Sequence, residues 1–361
     1  MIGSGEIGGA ELQLLGLARL LRQRGILVQV HFTRLVGPIV ESLAASGVKT
    51  TGSALEGSVR NGIGRLAAWR RFVRTVRDLR RVIRRDQPEV VHAILPGATI
   101  TTMLACWGVD CIRIAGIRGF VPAYSRLMST LFRRAVRRAD AVVCNAPHLA
   151  DEMVGGFGVE SSQVRVIPNG VDVPEWRAAV KVSPPRAVMV SNFHGYKGHD
   201  TLLYALSLMN SPVVVHLCGS GAGRESMRSK AEELGVSEKV VFVDPPADVQ
   251  AELRSAQFAV HPSRTEGMSN AILEQLAAGL PVIACEVGSN ALLVEHGVNG
   301  LLVPPGDVRA LADALTVMAT DPVLRERMAV ESRDRVERFS WDACVQSYIN
   351  LYAELLENTP R

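Results

Sequence analysis

The sequence predicts an α/β protein built from two doubly wound, Rossmann-like domains. Three observations carry that expectation. Short apolar runs alternate with longer helical patterns, the alternation breaks once near the middle of the chain, and the two halves differ in charge. Strands that alternate with helices form parallel sheets covered on both faces. A chain of 361 residues is long for one hydrophobic core and comfortable for two.

The first series of strands is read at Ile26–Phe32, Val90–Ile94, Cys111–Ile117, Ala141–Cys144 and Val164–Ile167. The second is read at Ala187–Val190, Val213–Cys218, Val240–Val243, Phe258–His261, Val282–Cys285 and Gly300–Val303. Between them the 3.6-residue period predicts helices at Glu11–Arg24, Arg65–Arg84, Thr201–Met209, Gly223–Leu234 and Val308–Ala319. The expected organisation is a first domain over 1–170, a Pro- and Gly-rich linker over 171–185, and a second domain over 186–338. A last helix within 339–361 is expected to cross back to the first domain, and the two domains are expected to meet at a cleft. One feature conflicts with this scheme. A doubly wound domain wants a buried strand before its first Gly-rich turn, yet only Met1 and Ile2 precede Gly3. The expectation is a truncated first strand, with the native chain starting upstream.

Apolar residues make up 47% of the chain and charged residues 21%, the balance of a folded protein and not of a disordered tail. No stretch approaches the roughly 20 apolar residues that span a bilayer. The opening residues lack the basic-then-apolar layout of a secretory signal. The six cysteines form no CxxC pair, so they are expected to be small buried residues in a reducing, cytoplasmic setting. Residues 1–170 carry 23 Lys and Arg against 12 Asp and Glu. Of the chain's 40 basic and 36 acidic residues, that leaves 17 and 24 for the remainder. Such asymmetry suggests domains with different partners.

The chemistry concentrates in Pro262–Cys285, PSRTEGMSNAILEQLAAGLPVIAC. A strand precedes it, Ser269 or Asn270 can cap the helix that follows, and Gly279 with Pro281 ends that helix. Gly267 lets backbone approach a ligand, and the amides of Gly267, Met268, Ser269 and Asn270 lie at a helix N-terminus, a ready site for a diphosphate without a metal. Glu274, one turn into the helix, can accept hydrogen bonds from a vicinal diol. Glu266, at the strand's end, can hold a sugar hydroxyl. Either glutamate alone would read as an ordinary surface residue, but the pair around a glycine loop and a capped helix reverses that.

This E-x7-E arrangement resembles the signature of retaining glycosyltransferase family 4, whose members have the GT-B architecture. Further similar segments follow in order: IGGAE (Ile7–Glu11), VVHAILPG (Val90–Gly97), ADAVVCNA (Ala139–Ala146), VIPNGVD (Val166–Asp172), YKGHD (Tyr196–Asp200) and GLLVPPGD (Gly300–Asp307). The resemblance implies that Glu274 binds the donor ribose, and that Glu266 with the amides of Gly267–Asn270 holds the transferred sugar and the diphosphate. It implies that Lys197 neutralises diphosphate charge, that Gly8 and Gly9 form the facing loop, and that His92 faces the reacting sugar. For His92 a satisfied core histidine is an equal alternative. Many members carry an Arg five residues before the Lys; here that position is Asn192, and His194 or Arg264 is the candidate replacement.

The expected function is transfer of a sugar, with retention, from a nucleotide-sugar such as a UDP-sugar to a glycan or lipid-linked acceptor in bacterial surface-polysaccharide assembly. No metal and no organic cofactor are expected. The alternatives are another GT-B enzyme such as an epimerase, or a non-catalytic binder of nucleotide-sugar or nucleic acid. Nucleic acid is disfavoured because the basic half has neither interleaved aromatics nor a recognised module. An anionic membrane surface is the favoured partner of the arginine-rich helix at 65–85, where Arg70, Arg71, Arg74, Arg77, Arg80, Arg81, Arg84 and Arg85 surround an apolar stripe. That stripe (Leu66, Trp69, Phe72, Val73, Val76, Leu79, Val82, Ile83) is expected to dock on the protein itself, with the protein peripheral on the inner leaflet.

Overall fold

In the computed structural model, buried β-branched runs form parallel strands and the amphipathic segments between them form helices. The structure describes residues 1–4, 8–53, 65–119, 126–178, 182–243 and 248–358. Ile7 of the IGGAE segment, the side chain of Leu66 and residues 179–181 of the expected linker lie outside that set.

Two compact units are present. The first comprises Met1–Gly170 together with Trp341–Arg361, and the second Val171–Ser340. The first unit runs β1 (Ile2–Ser4), α1 (Gly9–Gln23), β2 (Gln29–Arg34), α2 (Pro38–Ala45), β3 (Lys49–Gly52), α3 (Arg65–Asp86), β4 (Val90–Ile94), α4 (Pro96–Ala105), β5 (Ile112–Ile117), α5 (Arg126–Val136), β6 (Ala141–Cys144), α6 (Pro147–Asp151) and β7 (Val164–Val166). Its strands are parallel in the orders β1-β2-β3 and β4-β5-β6-β7. Backbone at the chain start joins the two sets: the Met1 amino group donates to His92 O at 2.6 Å and Ile94 N donates to Met1 O at 2.8 Å.

The position where a truncated strand is expected holds the three-residue β1. Ile2 pairs with Phe32 and Ser4 with Arg34, and Ile2 and Phe32 are fully buried.

The second unit runs β8 (Arg186–Val190), α7 (His199–Leu208), β9 (Val214–Cys218), α8 (Arg224–Glu233), β10 (Val240–Val243), α9 (Val249–Ser255), β11 (Phe258–His261), α10 (Asn270–Ala277), β12 (Val282–Cys285), α11 (Asn290–Leu293), β13 (Gly300–Val303), α12 (Val308–Thr320) and α13 (Pro322–Val336). Its sheet is wholly parallel, in the order β10-β9-β8-β11-β12-β13. This is the doubly wound order 3-2-1-4-5-6, whose strand order reverses between β8 and β11. One face of the sheet packs Met189, Leu217, Val260 and Ile283 against α7 and α12 residues such as Leu202 and Leu315. The other packs Val188, Ala259 and Ala284 against α10 residues such as Ile272 and Leu276.

The chain ends in α14 (Trp341–Asn358), which belongs to the first unit. Val345, Tyr348 and Leu351 of α14 share a core with Leu17, Leu21, Ile114 and Val143. Trp341 fills space left by two glycines, since a Cβ on Gly16 or Gly170 would sit 2.2 or 2.3 Å from its ring.

Candidate active site

At the β8/β11 switch point, the loops leaving the carboxyl ends of both strands converge, which is where ligands bind in open α/β sheets. β8 is followed by a tight turn, Gly195–Lys197, and then by Gly198 in the left-handed region (φ +77). A Cβ on Gly198 would lie 2.0 Å from Pro262 O, so only glycine lets this turn close on the β11 loop. The closure delivers Lys197 to Glu266: Nζ lies 2.6 Å from Oε1, with both side chains largely buried.

Glu266 also accepts from His261 Nε2 at 2.8 Å. Burial alone would raise its pKa, but the hydrogen bond and charge of His261, followed by the charge and hydrogen bond of Lys197, hold it down at about 2. The carboxylate is thus ionised throughout the physiological range. A second loop backs it: Gly288 (φ +54) has no room for a Cβ, which would meet Glu266 O at 2.0 Å, and Ser289 N donates to Gly267 O at 3.1 Å.

Ser269, and not Asn270, caps α10. Its backbone is extended and its Oγ accepts from Ile272 N at 3.3 Å. The N-terminus of α10 therefore opens beside Glu266, with Met268 buried beneath it. Glu274 lies one turn inside. Desolvation raises its pKa to about 7, with a further push from Asp172, which follows the Val171–Ser340 bridge. A carboxylate held half-protonated near neutrality gains from any ligand whose hydroxyls hydrogen-bond its charged form.

Lys197 and Glu266 are thus paired within the second unit, next in sequence to Gly267–Asn270, with Glu274 one turn into α10. Gly8, Gly9 and His92 belong to the first. Gly8 caps α1, Gly9 begins it, and the carboxylate of Glu11 occupies the space that a Cβ on Gly8 would need. His92 sits in the packing between β4 and α14. Its Nδ1 lies 3.0 Å from the Tyr352 hydroxyl, and its ring packs against Tyr348 and Tyr352. Burial, assisted by the nearby amino terminus and Arg118, lowers its pKa to about 3. These contacts are those of a packed histidine, but its Nε2 is buried without a hydrogen-bond partner, so the core reading and the substrate-facing reading both stand.

The candidate replacements for the diphosphate arginine separate. Asn192 accepts through Oδ1 from both the N–H and the hydroxyl of Ser220, so it ties the β8 and β9 loops together. Arg264 is committed elsewhere: it donates to Asp200 at 2.6 Å, to Thr201 Oγ1 and to Gly195 O. His194 remains exposed, stacked on Tyr196. Sequence reading missed His261, Asp172 and the Arg264–Asp200 pair. The motif HPSRTEG placed His261 next to the loop, but nothing in the spacing showed that its ring turns inward.

Among the described residues no group of histidine, cysteine and acidic side chains has metal-binding geometry, and no helix is long and apolar enough to cross a membrane.

Comparison with known proteins bears on the family and the fold. Residues 7–175 match the family described as Glycosyltransferase Family 4, and residues 184–321 match Glycosyl transferases group 1. The chain is 26% identical to a D-inositol 3-phosphate glycosyltransferase of Xylanimonas cellulosilytica, over 99% of this chain and 94% of that one. It is 28% identical to the Actinosynnema mirum protein of the same name, over 98% and 93%. Among solved structures it is similar to the sucrose-phosphate synthase of Thermosynechococcus elongatus (TM-score 0.84, 19% identity, 99% of each chain). It is also similar to Anabaena HepE in complex with UDP-glucose (TM-score 0.83, 20% identity, 98% of this chain and 99% of that one). The fold is GT-B, and the two matched family models describe glycosyltransferase domains, one in each half of the chain.

Proposed function

We propose that this glycosyltransferase moves a sugar from a UDP-sugar to its acceptor with retention and without a divalent metal. The observation that carries the reading is the Lys197–Glu266 pair beside the capped N-terminus of α10, with Glu274 one turn inside that helix. Breaking the bond between the anomeric carbon and the diphosphate creates an oxocarbenium-like centre and an anionic leaving group. The helix N-terminus and Lys197 stabilise the leaving charge. Glu274 receives the ribose diol, and Glu266 a hydroxyl of the sugar. The family resemblance points to attack from the leaving-group face, with a leaving-group oxygen taking the acceptor's proton.

Two acceptor classes have support. The relatives' name favours a phosphorylated inositol. The exposed, arginine-rich face of α3 favours a lipid-linked glycan acceptor met at an anionic membrane surface, as in cell-surface polysaccharide assembly. The test is UDP release from a panel of UDP-sugars, with inositol 3-phosphate in one arm and lipid extract in the other. Stimulation in neither arm, with no UDP binding by calorimetry, would overturn the reading.

A further inference from the structure

His261 closes β11 with its side chain fully buried. Its Nε2 meets Glu266 Oε1 at 2.8 Å, Ser263 Oγ at 3.1 Å and Ser269 Oγ at 3.2 Å. Its Nδ1 is buried without a hydrogen-bond partner. An ionised carboxylate only accepts, so the proton of this contact sits on Nε2. The ring thus leaves one polar atom unsatisfied in the core, a cost that an aliphatic side chain would avoid. What Nε2 does must offset it. It fastens the carboxylate of Glu266 and lies beside the hydroxyl that caps α10, joining the sugar side of the site to its diphosphate side.

Lys197 and His261 both address the same oxygen of Glu266. A diphosphate competes with Glu266 for Lys197, because one compact ammonium serves both anions. If Lys197 turns to the phosphate, His261 still holds Oε1 and leaves Oε2 without a partner among these contacts. We infer that His261 is a positioning residue, which fixes the Glu266 carboxylate for the donor's sugar while Lys197 exchanges one anion for another. The inference rests on the proposed nucleotide-sugar reading and assigns a role that the E-x7-E pair does not contain.

Two variants separate this role from a structural one. His261→Leu keeps a buried side chain and removes the donor. His261→Gln places an N–H near the position of Nε2. Titration with UDP and UDP-glucose, together with slow UDP-glucose hydrolysis, reads the nucleotide and sugar contacts separately. For His261→Leu, UDP affinity is expected within about threefold of wild type, while hydrolysis and the affinity gained from the glucose fall by roughly tenfold or more; His261→Gln recovers most of both. Equal loss of UDP and UDP-glucose binding, or no loss of either, overturns the proposal. Histidine-selective 15N NMR reads the contact with no donor present, so it stands even if the nucleotide-sugar reading fails. A proton on Nε2, with a resonance that shifts in Glu266→Gln, supports the inference; a bare Nε2 with the proton on Nδ1 alone overturns it.

Discussion

Asn192 Oδ1 lies 3.2 Å from the hydroxyl of Ser220 and 3.3 Å from its amide nitrogen, so the side chain at the position of the family's usual diphosphate arginine bridges two strand-end loops of its own unit. A neutral, structurally engaged amide brings no charge to a diphosphate. With Arg264 paired to Asp200, Lys197 carries the electrostatic load at the β8 loop.

The expected consequence is an uneven pair of variants. Lys197→Ala should weaken UDP binding by roughly 10- to 100-fold, the range for a lost hydrogen bond to a charged group. Asn192→Ala should leave UDP affinity within about threefold and lower the melting temperature by a few degrees, since exposed hydrogen bonds contribute about 1 kcal/mol. Calorimetric titration and thermal melting read both. Comparable losses of UDP affinity in the two variants would show that Asn192 touches the diphosphate.

Glu274 predicts a pH dependence with a definite sign. Its pKa is raised from 4.5 to about 7 in the folded protein, by burial first and by Asp172 second. A raised carboxyl pKa contributes stability below about 4.5, and the contribution is lost as pH climbs through 7. Glu274→Gln should therefore melt at a higher temperature than wild type at pH 8, with the gap closing towards pH 4.5. UDP binding should move oppositely. The charged carboxylate is the better acceptor for a diol, so wild-type affinity should rise between pH 6 and 8, whereas the variant should bind more weakly with a flat profile. A flat wild-type profile would remove Glu274 from the ribose site.

Transfer should survive chelation. The positive end of α10 and Lys197 supply the charge that a divalent ion would otherwise bring to a leaving diphosphate. Loss of UDP-sugar turnover in EDTA that magnesium or manganese restores would count against this arrangement.

What the sequence discloses depends on how local the determining physics is. Ala187–Val190 and Val282–Cys285 read plainly as strands because a parallel strand buried on both faces is a continuous apolar run. Lys49–Gly52 did not, since KTTG offers no large apolar residue and its place comes from pairing with β2. Ile2–Ser4 is too short to carry any period, and its neighbours on both edges define it. In the site, the glycine loop, the cap and the two glutamates fall within the nine residues Glu266–Glu274 and could be read from spacing. The Lys197–Glu266 contact spans 69 residues, and the Arg264–Asp200 pair spans 64. Both depend on β8 and β11 being neighbours, a consequence of strand order that no local pattern encodes.

Helix α3 shows the same limit and leads to the last prediction. Its apolar stripe is continuous in sequence and was expected to dock along its whole length. The structure divides it. Leu79 and Ile83 are buried, whereas Trp69 is 54% exposed and Val73 37%. Periodicity shows that a face is apolar but not how far the protein covers it. Arg70, Arg74, Arg77 and Arg81 line the same strip as Trp69 and Val73. Asp78 serves two of these arginines, Arg74 and Arg81, and among the described residues Arg70, Arg77 and Arg84 make no ion pair. Like charges at such spacing repel. On α5 of the same unit, Leu127 is 65% exposed, with Arg133 and Arg134 further along the helix. An indole beside several guanidinium groups suits the boundary of an anionic bilayer, where the ring enters the headgroup region and each cation gains about 1 kcal/mol. The protein should therefore sediment with vesicles containing phosphatidylglycerol at low salt, remain in solution with neutral vesicles, and be released by about 0.5 M salt as the Debye length shrinks. Trp69→Ala should weaken the association without changing its salt dependence, and Arg70→Gln with Arg77→Gln should weaken it and flatten that dependence. Protein that stays in the supernatant with anionic vesicles at low salt would mean that this basic, half-covered helix meets something other than a membrane.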